Sequence, residues 1–209
     1  MLKITQFTFG AIGLVSMLAG CFLGVSKIRY SEPFVDSSSV RLKHVSGVPV
    51  DKMILSPNLS FYVNPANEKV GKNVIILPIP FADGVDPRVS SVFIVGVGMY
   101  PNLPSHRLNV GQIFLSIGNS ESITAKRVYG PWNCKAKKVV SAWRVLPVDP
   151  IDLPQDECTS IALEFAMPPP DPDVEFSIRI EGATRSINSI DLPRVRFRGR
   201  TRWDPTGAP

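Results

Sequence analysis

Five arginines stand at alternate positions near the end of the chain: Arg194, Arg196, Arg198, Arg200 and Arg202. Successive side chains of a strand fall on opposite faces, so this spacing puts all five on one face. At about 3.3 Å per residue the row is roughly 26 Å long. A guanidinium pairs carboxylate or phosphate through a planar fork, so the chemistry on offer is anion recognition. Val195, Phe197, Thr201 and Trp203 fall between them and can pack, and Trp203 completes the candidate binding set. Gly199 is the expected position of a bulge that would split the row. Three readings stay open. One is a solvated face whose charge protects an edge strand from aggregation. The second is a docking surface for an acidic protein partner. The third is a seat for anionic lipid or lipopolysaccharide head groups. Arginine at all five positions, with no lysine, tilts the row toward recognition.

The row also accounts for the charge balance. The 209 residues hold 23 Lys+Arg and 18 Asp+Glu, a formal charge of +5. Without Lys3 and the five arginines, 17 basic residues face 18 acidic ones. At 44 % hydrophobic and 20 % charged the composition excludes a disordered chain, a coiled coil and a multi-pass membrane protein. Twenty prolines disfavour long helices.

There is no Gly-x-Ser-x-Gly elbow and no Walker A loop. His44 and His106 lack catalytic context and read as exposed polar residues. Asp149, Asp152, Asp156 and Glu157 cluster among Pro147, Pro150 and Pro154, and Asp171 and Asp173 flank Pro172. Paired acids can cut glycosides or hold calcium, but among prolines they read as solvated loops. No catalytic residue, metal site or cofactor is therefore assigned.

The first twenty residues show one basic residue, Lys3, an apolar run from Ile4 to Leu18, and then small residues. That is the pattern of a secretory signal peptide. It ends in Leu18-Ala19-Gly20-Cys21, which closely resembles the lipobox of bacterial lipoproteins. The resemblance covers about the first 21 positions. It implies that Cys21 receives a diacylglycerol, becomes the first mature residue and is N-acylated. An uncleaved transmembrane anchor over Ile4–Val25 is the competing reading. Phe22, rather than Asp, after the cysteine implies an outer-membrane lipoprotein facing the periplasm, with surface display open. Cys134 and Cys158 remain, and an even pair in an exported domain is expected to form a disulfide.

Behind these residues lies an all-β pattern. Residues 21–50 are polar and irregular and read as the lipidated cysteine with a flexible tether. From residue 51 onward, about nine short apolar runs alternate with turn signals, the signature of a sandwich or barrel. The runs are Leu59–Val63, Asn73–Pro80, Ser91–Met99, Gln112–Ile117, Ser122–Tyr129, Lys138–Val145, Thr159–Ala166, Val174–Ile180 and Arg194–Trp203. Residues 51–209 are expected to form one antiparallel β-sandwich, with 91–99 a central strand covered on both sides and Pro168–Pro172 a stiff loop. The expected function is an envelope-anchored, non-catalytic protein-binding or scaffolding module with its contact surface on the arginine strand. The lipid anchor supplies a membrane partner, and nucleic acid is excluded because an exported lipidated chain rarely meets it. The alternatives are an immunity lipoprotein neutralising a periplasm-acting toxic effector, and an envelope enzyme of unknown chemistry.

Overall fold

The computed structural model describes residues 22–36, 41–43, 52–56, 59–76, 79–84, 90–134, 144–147 and 150–205. The signal segment, Cys21, His44, most of the Lys138–Val145 run and Asp149 lie outside the described residues. The strands in chain order are β1 (Phe22–Phe34), β2 (Arg41–Lys43), β3 (Lys52–Ser56), β4 (Leu59–Pro65), β5 (Lys69–Ile76), β6 (Ile79–Gly84), β7 (Phe93–Pro101), β8 (His106–Leu108), β9 (Ile113–Ile117), β10 (Ile123–Thr124), β11 (Arg127–Asn133), β12 (Ile151–Leu153), β13 (Thr159–Phe165), β14 (Phe176–Ile180), β15 (Ala183–Arg185), β16 (Asn188–Ser189) and β17 (Val195–Pro205). Among the described residues the only helix is one 3-10 turn, Val110–Gln112, and no helix is long and apolar enough to cross a membrane. The chain is all-β, as the sequence leads one to expect, and its antiparallel sheets form no closed barrel among the described residues.

The chain divides into two compact units. The larger holds residues 30–67 and 89–200, and the smaller holds 1–29, 68–88 and 201–209. In the larger unit one sheet runs β10-β9-β14-β17-β1 and a second runs β11-β13-β7-β4-β3-β2. A third small sheet has the order β12-β8-β15-β16.

Period-2 alternation builds the core between the two main sheets. Phe176, Ile178 and Ile180 of β14 are buried, while Ser177 and Arg179 between them stay half-exposed. Val195 and Phe197 of β17, Phe93, Val95 and Val97 of β7, and Ile161, Leu163 and Phe165 of β13 join the same cluster. Phe176 stacks on Phe197 at 4.6 Å and meets Phe93 edge-on at 5.6 Å, and Phe93 packs on Phe165 at 6.1 Å. One aromatic chain thus links strands of both sheets. Each such ring stabilises by about 1.5–3 kcal/mol through burial alone.

Strand β7 is central, pairing β4 on one side and β13 on the other. Phe93, Val95, Val97 and Met99 fill the core, whereas Ile94, Gly96 and Tyr100 on the opposite face are only half-buried. Gly98, also on that face, is covered by the Tyr62 ring, which occupies the space a Cβ would need. Cys134 and Cys158 form a disulfide with their Cα atoms 5.3 Å apart. It lies beside the paired ends of β11 and β13, where Asn133 faces Thr159.

Several expectations are corrected. Residues 22–34, read as tether, form strand β1, which pairs with β5 and neighbours β17. Its polar residues disguised it, because Arg198 and Arg200, which pair with Glu32, lie far away in sequence. The run Asn73–Pro80 is not one strand but the facing parts of β5 and β6. Pro80 is tolerated there because β6 is the last strand of its sheet. Ser122–Tyr129 breaks into β10 and β11, which belong to different sheets. Both compact units draw on the span 51–209: residues 51–67 and 89–200 fall in the larger one, and 68–88 and 201–209 in the smaller one.

Candidate binding surface

Strand β17 runs without interruption from Val195 to Pro205, flanked by β14 and β1. It is therefore an inner strand, and the protection of an exposed edge does not explain its charge. The register with β14 sets Phe176 opposite Phe197 and Ser177 opposite Arg196. Val195 and Phe197 are fully buried, so the alternate positions Arg196, Arg198 and Arg200 take the outer face.

Strand β17 continues through Gly199. A Cβ on it would lie 2.9 Å from the Pro172 carbonyl oxygen and 3.1 Å from Asp173 Cα. The Pro168–Pro172 loop crosses directly over the strand, and only glycine leaves room. The loop is pinned from below. Asn67 Nδ2 donates to the Pro170 carbonyl at 3.3 Å, and the Ser31 hydroxyl donates to the Pro172 carbonyl at 3.5 Å.

The arginines are not free. Arg196 donates from Nη1 to Asp36 Oδ2 at 2.9 Å and from Nη2 to Glu175 Oε2 at 3.3 Å. Glu32 Oε2 accepts from Arg200 Nε at 2.7 Å and from Arg198 Nη2 at 3.5 Å. The Phe34 ring lies under two guanidiniums, Arg196 at 5.0 Å and Arg198 at 5.1 Å. Glu32, Phe34 and Asp36 stand at alternate positions, so the end of β1 offers acid, ring and acid against the row. Hydrogen bonds to Asp36 and to Glu32 push the Arg196 and Arg200 guanidiniums above their ordinary pKa. The side chains of Arg196, Arg198 and Arg200 nonetheless remain 42 %, 49 % and 48 % exposed. Within the smaller unit Arg202 pairs with Glu68 at 3.6 Å. Trp203 lies in β17, but its side chain is outside the described residues.

Arg194 differs. It is exposed, precedes β17, and among the described residues makes no ion pair. It borders a cleft of about 540 Å³ that Arg179, Glu181, Ser189 and Asp191 also line. Arg179 sits over the Phe114 ring at 5.3 Å, and its Nε lies 3.0 Å from Glu181 Oε1. That close pair is electrostatic rather than a formed hydrogen bond, because the buried Nε–H has no acceptor in line with it.

The remaining candidates fall elsewhere. His106 is not an exposed loop residue. It is buried in β8, with Nδ1 2.8 Å from the Leu103 carbonyl. A carbonyl only accepts, so Nδ1 donates to it and the side chain serves the fold. Asp152 pairs with Arg107 at 2.9 Å, and Asn133 Nδ2 donates to Glu157 at 3.4 Å. Among the described residues no three His, Cys, Asp or Glu side chains gather as a metal site would require. Sequence reasoning missed a buried carboxylate, Glu164, which accepts from the Tyr129 hydroxyl at 2.6 Å. It also missed Glu32, Asp36, Glu175 and Arg179. The alternation of Glu32, Phe34 and Asp36 was the available signal for the first two.

No family model, curated protein or solved structure matches this chain.

Proposed function

We propose that the chain is an outer-membrane lipoprotein, acylated on Cys21, that works as a non-catalytic binding module for an acidic protein partner. Its contact surface is the first part of the arginine row, centred on Arg194. The observation that carries this reading is the contrast along the row. Arg196, Arg198 and Arg200 are held by Asp36, Glu175 and Glu32, while Arg194, beside a cleft, makes no ion pair among the described residues.

Two physical arguments support a protein partner over a lipid surface or polyanion. In the larger unit three of the four arginines of the row meet three carboxylates, so most of the local positive charge is offset. Non-specific binding to polyanions depends on uncompensated charge. Guanidiniums already fixed by ion pairs and by Phe34 also lose little freedom on docking, which favours a defined geometry.

Capture from detergent-solubilised envelopes tests the reading. The tagged, acylated full chain is compared with a variant carrying Arg194→Gln, Arg196→Gln, Arg198→Gln and Arg200→Gln. A partner captured by the first and lost from the second, with far-UV circular dichroism unchanged, supports it. Identical captured sets reduce the row to an internally compensated surface.

A further inference from the structure

Strand β1 begins at Phe22, the residue directly after Cys21. A lipid on Cys21 is then attached at the very end of a sheet, with no spacer between anchor and fold. The register of the smaller unit shows what else stands at that end. Phe22 faces Ile76 and Ile76 faces Ile79; Leu23 faces Ile75 and Ile75 faces Pro80; Gly24 faces Val74 and Val74 faces Phe81. These three ranks across β1, β5 and β6 contain no polar residue. The charged residues begin farther along, where Lys72 faces Ser26, Lys27 faces Gly71 and Arg29 faces Lys69.

A sheet with one wet face alternates apolar and polar residues. Here Phe22-Leu23, Val74-Ile75-Ile76 and Ile79-Pro80-Phe81 are apolar at consecutive positions, so both faces of the patch carry apolar residues. Three ranks at about 3.3 Å each span roughly 7 to 10 Å from the anchor. That matches the depth of about 5–10 Å at which apolar surfaces seat in the head-group and acyl boundary. The basic residues follow where anionic head groups would lie.

We propose that the end of the β1–β5–β6 sheet beside Cys21 is a membrane-contacting surface, seated in the interface of the same leaflet that holds the lipid. This rests on the reading of Cys21 as the acylated residue. The sheet then does not hang from a flexible tether. It is held at the bilayer by two signals, the acyl chains and the apolar sheet end, and β1 leads directly from the membrane into the fold.

The test uses the full chain, processed in a bacterial envelope and reconstituted into phosphatidylethanolamine–phosphatidylglycerol vesicles. A nitroxide is attached to Ile79→Cys, and in a second protein to Ile75→Cys, so that one misfolded variant does not decide the outcome. A nitroxide at exposed Ser90→Cys is the reference. Power saturation reads accessibility to oxygen, which concentrates in hydrocarbon, and to a water-soluble nickel chelate. The expected oxygen-to-nickel ratio at position 79 or 75 is at least about fivefold that at position 90. A ratio equal to the reference overturns the proposal, as does low accessibility to both agents, which signifies cover by protein or by a second copy. Intact mass of the same sample separates the two readings. An acylated Cys21 with a water-like nitroxide overturns the sheet-end contact alone, while an unmodified Cys21 overturns both.

Discussion

Gly199→Ala adds one methyl group, and two opposed effects decide the sign of its outcome. Gly199 is not in the left-handed region, so alanine can adopt its backbone conformation. Loss of glycine's freedom in the unfolded chain then stabilises by about 0.4–1 kcal/mol. Against this, the new Cβ would lie 2.9 Å from the Pro172 carbonyl oxygen and 3.1 Å from Asp173 Cα. Ordinary carbon contacts settle near 3.5 Å or beyond, so the loop must retreat by about half an ångström. The nearest atom of all, Asp173 Oδ1 at 2.8 Å, belongs to a side chain that can turn aside, but the other two are backbone, and the loop is fastened through Ser31 and Asn67. Overpacking of this kind costs about 1–3 kcal/mol, and with three atoms within 3.1 Å the upper part of that range applies, which leaves a net destabilisation of about 1–2 kcal/mol. Urea unfolding of the full chain in detergent micelles, followed by tryptophan fluorescence, reads the difference. With a slope of about 2 kcal/mol/M the midpoint falls by roughly 0.5–1 M. An unchanged or raised midpoint would refute the close crossing of the loop over β17.

Three further outcomes concern the rest of the fold. Gly98→Ala places a methyl inside the present position of the Tyr62 ring, so its cost depends on Tyr62. In a double-mutant cycle with Tyr62→Ala the two changes should couple by about 1–3 kcal/mol, and additivity would count against the contact. The Cys134–Cys158 bridge spans a sequence separation of 24, and chain entropy puts the loss in a Cys134→Ser, Cys158→Ser double variant at about 3.5 kcal/mol. A loss under about 1 kcal/mol in urea unfolding would show that the bridge constrains little. Burial, and then the neighbouring Tyr62, raises the Tyr100 hydroxyl above its ordinary pKa of 10.0. The unfolded chain then ionises first, so this contribution is full below about pH 10 and is lost as pH rises through the folded value. Urea midpoints between pH 8 and 11 should fall less steeply in Tyr100→Phe, and identical slopes would contradict it.

The strands legible in the sequence are those whose alternation is local. Val174–Ile180, Thr159–Ala166 and Leu59–Val63 carry their buried faces in their own residue order, and each appears within a residue or two. Strand β1 was not legible because the partners of Glu32 and Asp36 lie about 160 residues away, at Arg196, Arg198 and Arg200. The same pairs explain why the arginine row was half legible. Its spacing revealed one face, but compensation by β1 and by Glu175 is a tertiary fact. Short strands such as β8 and β15 escaped because three residues hold too little periodicity. His106 was misplaced for the same reason: its burial comes from pairing with β12 and β15, not from its neighbours Pro104 and Ser105.

Charge reversal at Arg194 tests the proposed contact most directly. The dissociation constant of the captured acidic partner is measured for the acylated full chain, for Arg194→Glu, and for Arg185→Glu, an exposed arginine off the row. Docking through Arg194 predicts at least tenfold weaker binding for Arg194→Glu, about 1.4 kcal/mol, and a change within about twofold for Arg185→Glu. Equal affinities for all three proteins would contradict a contact surface centred on Arg194.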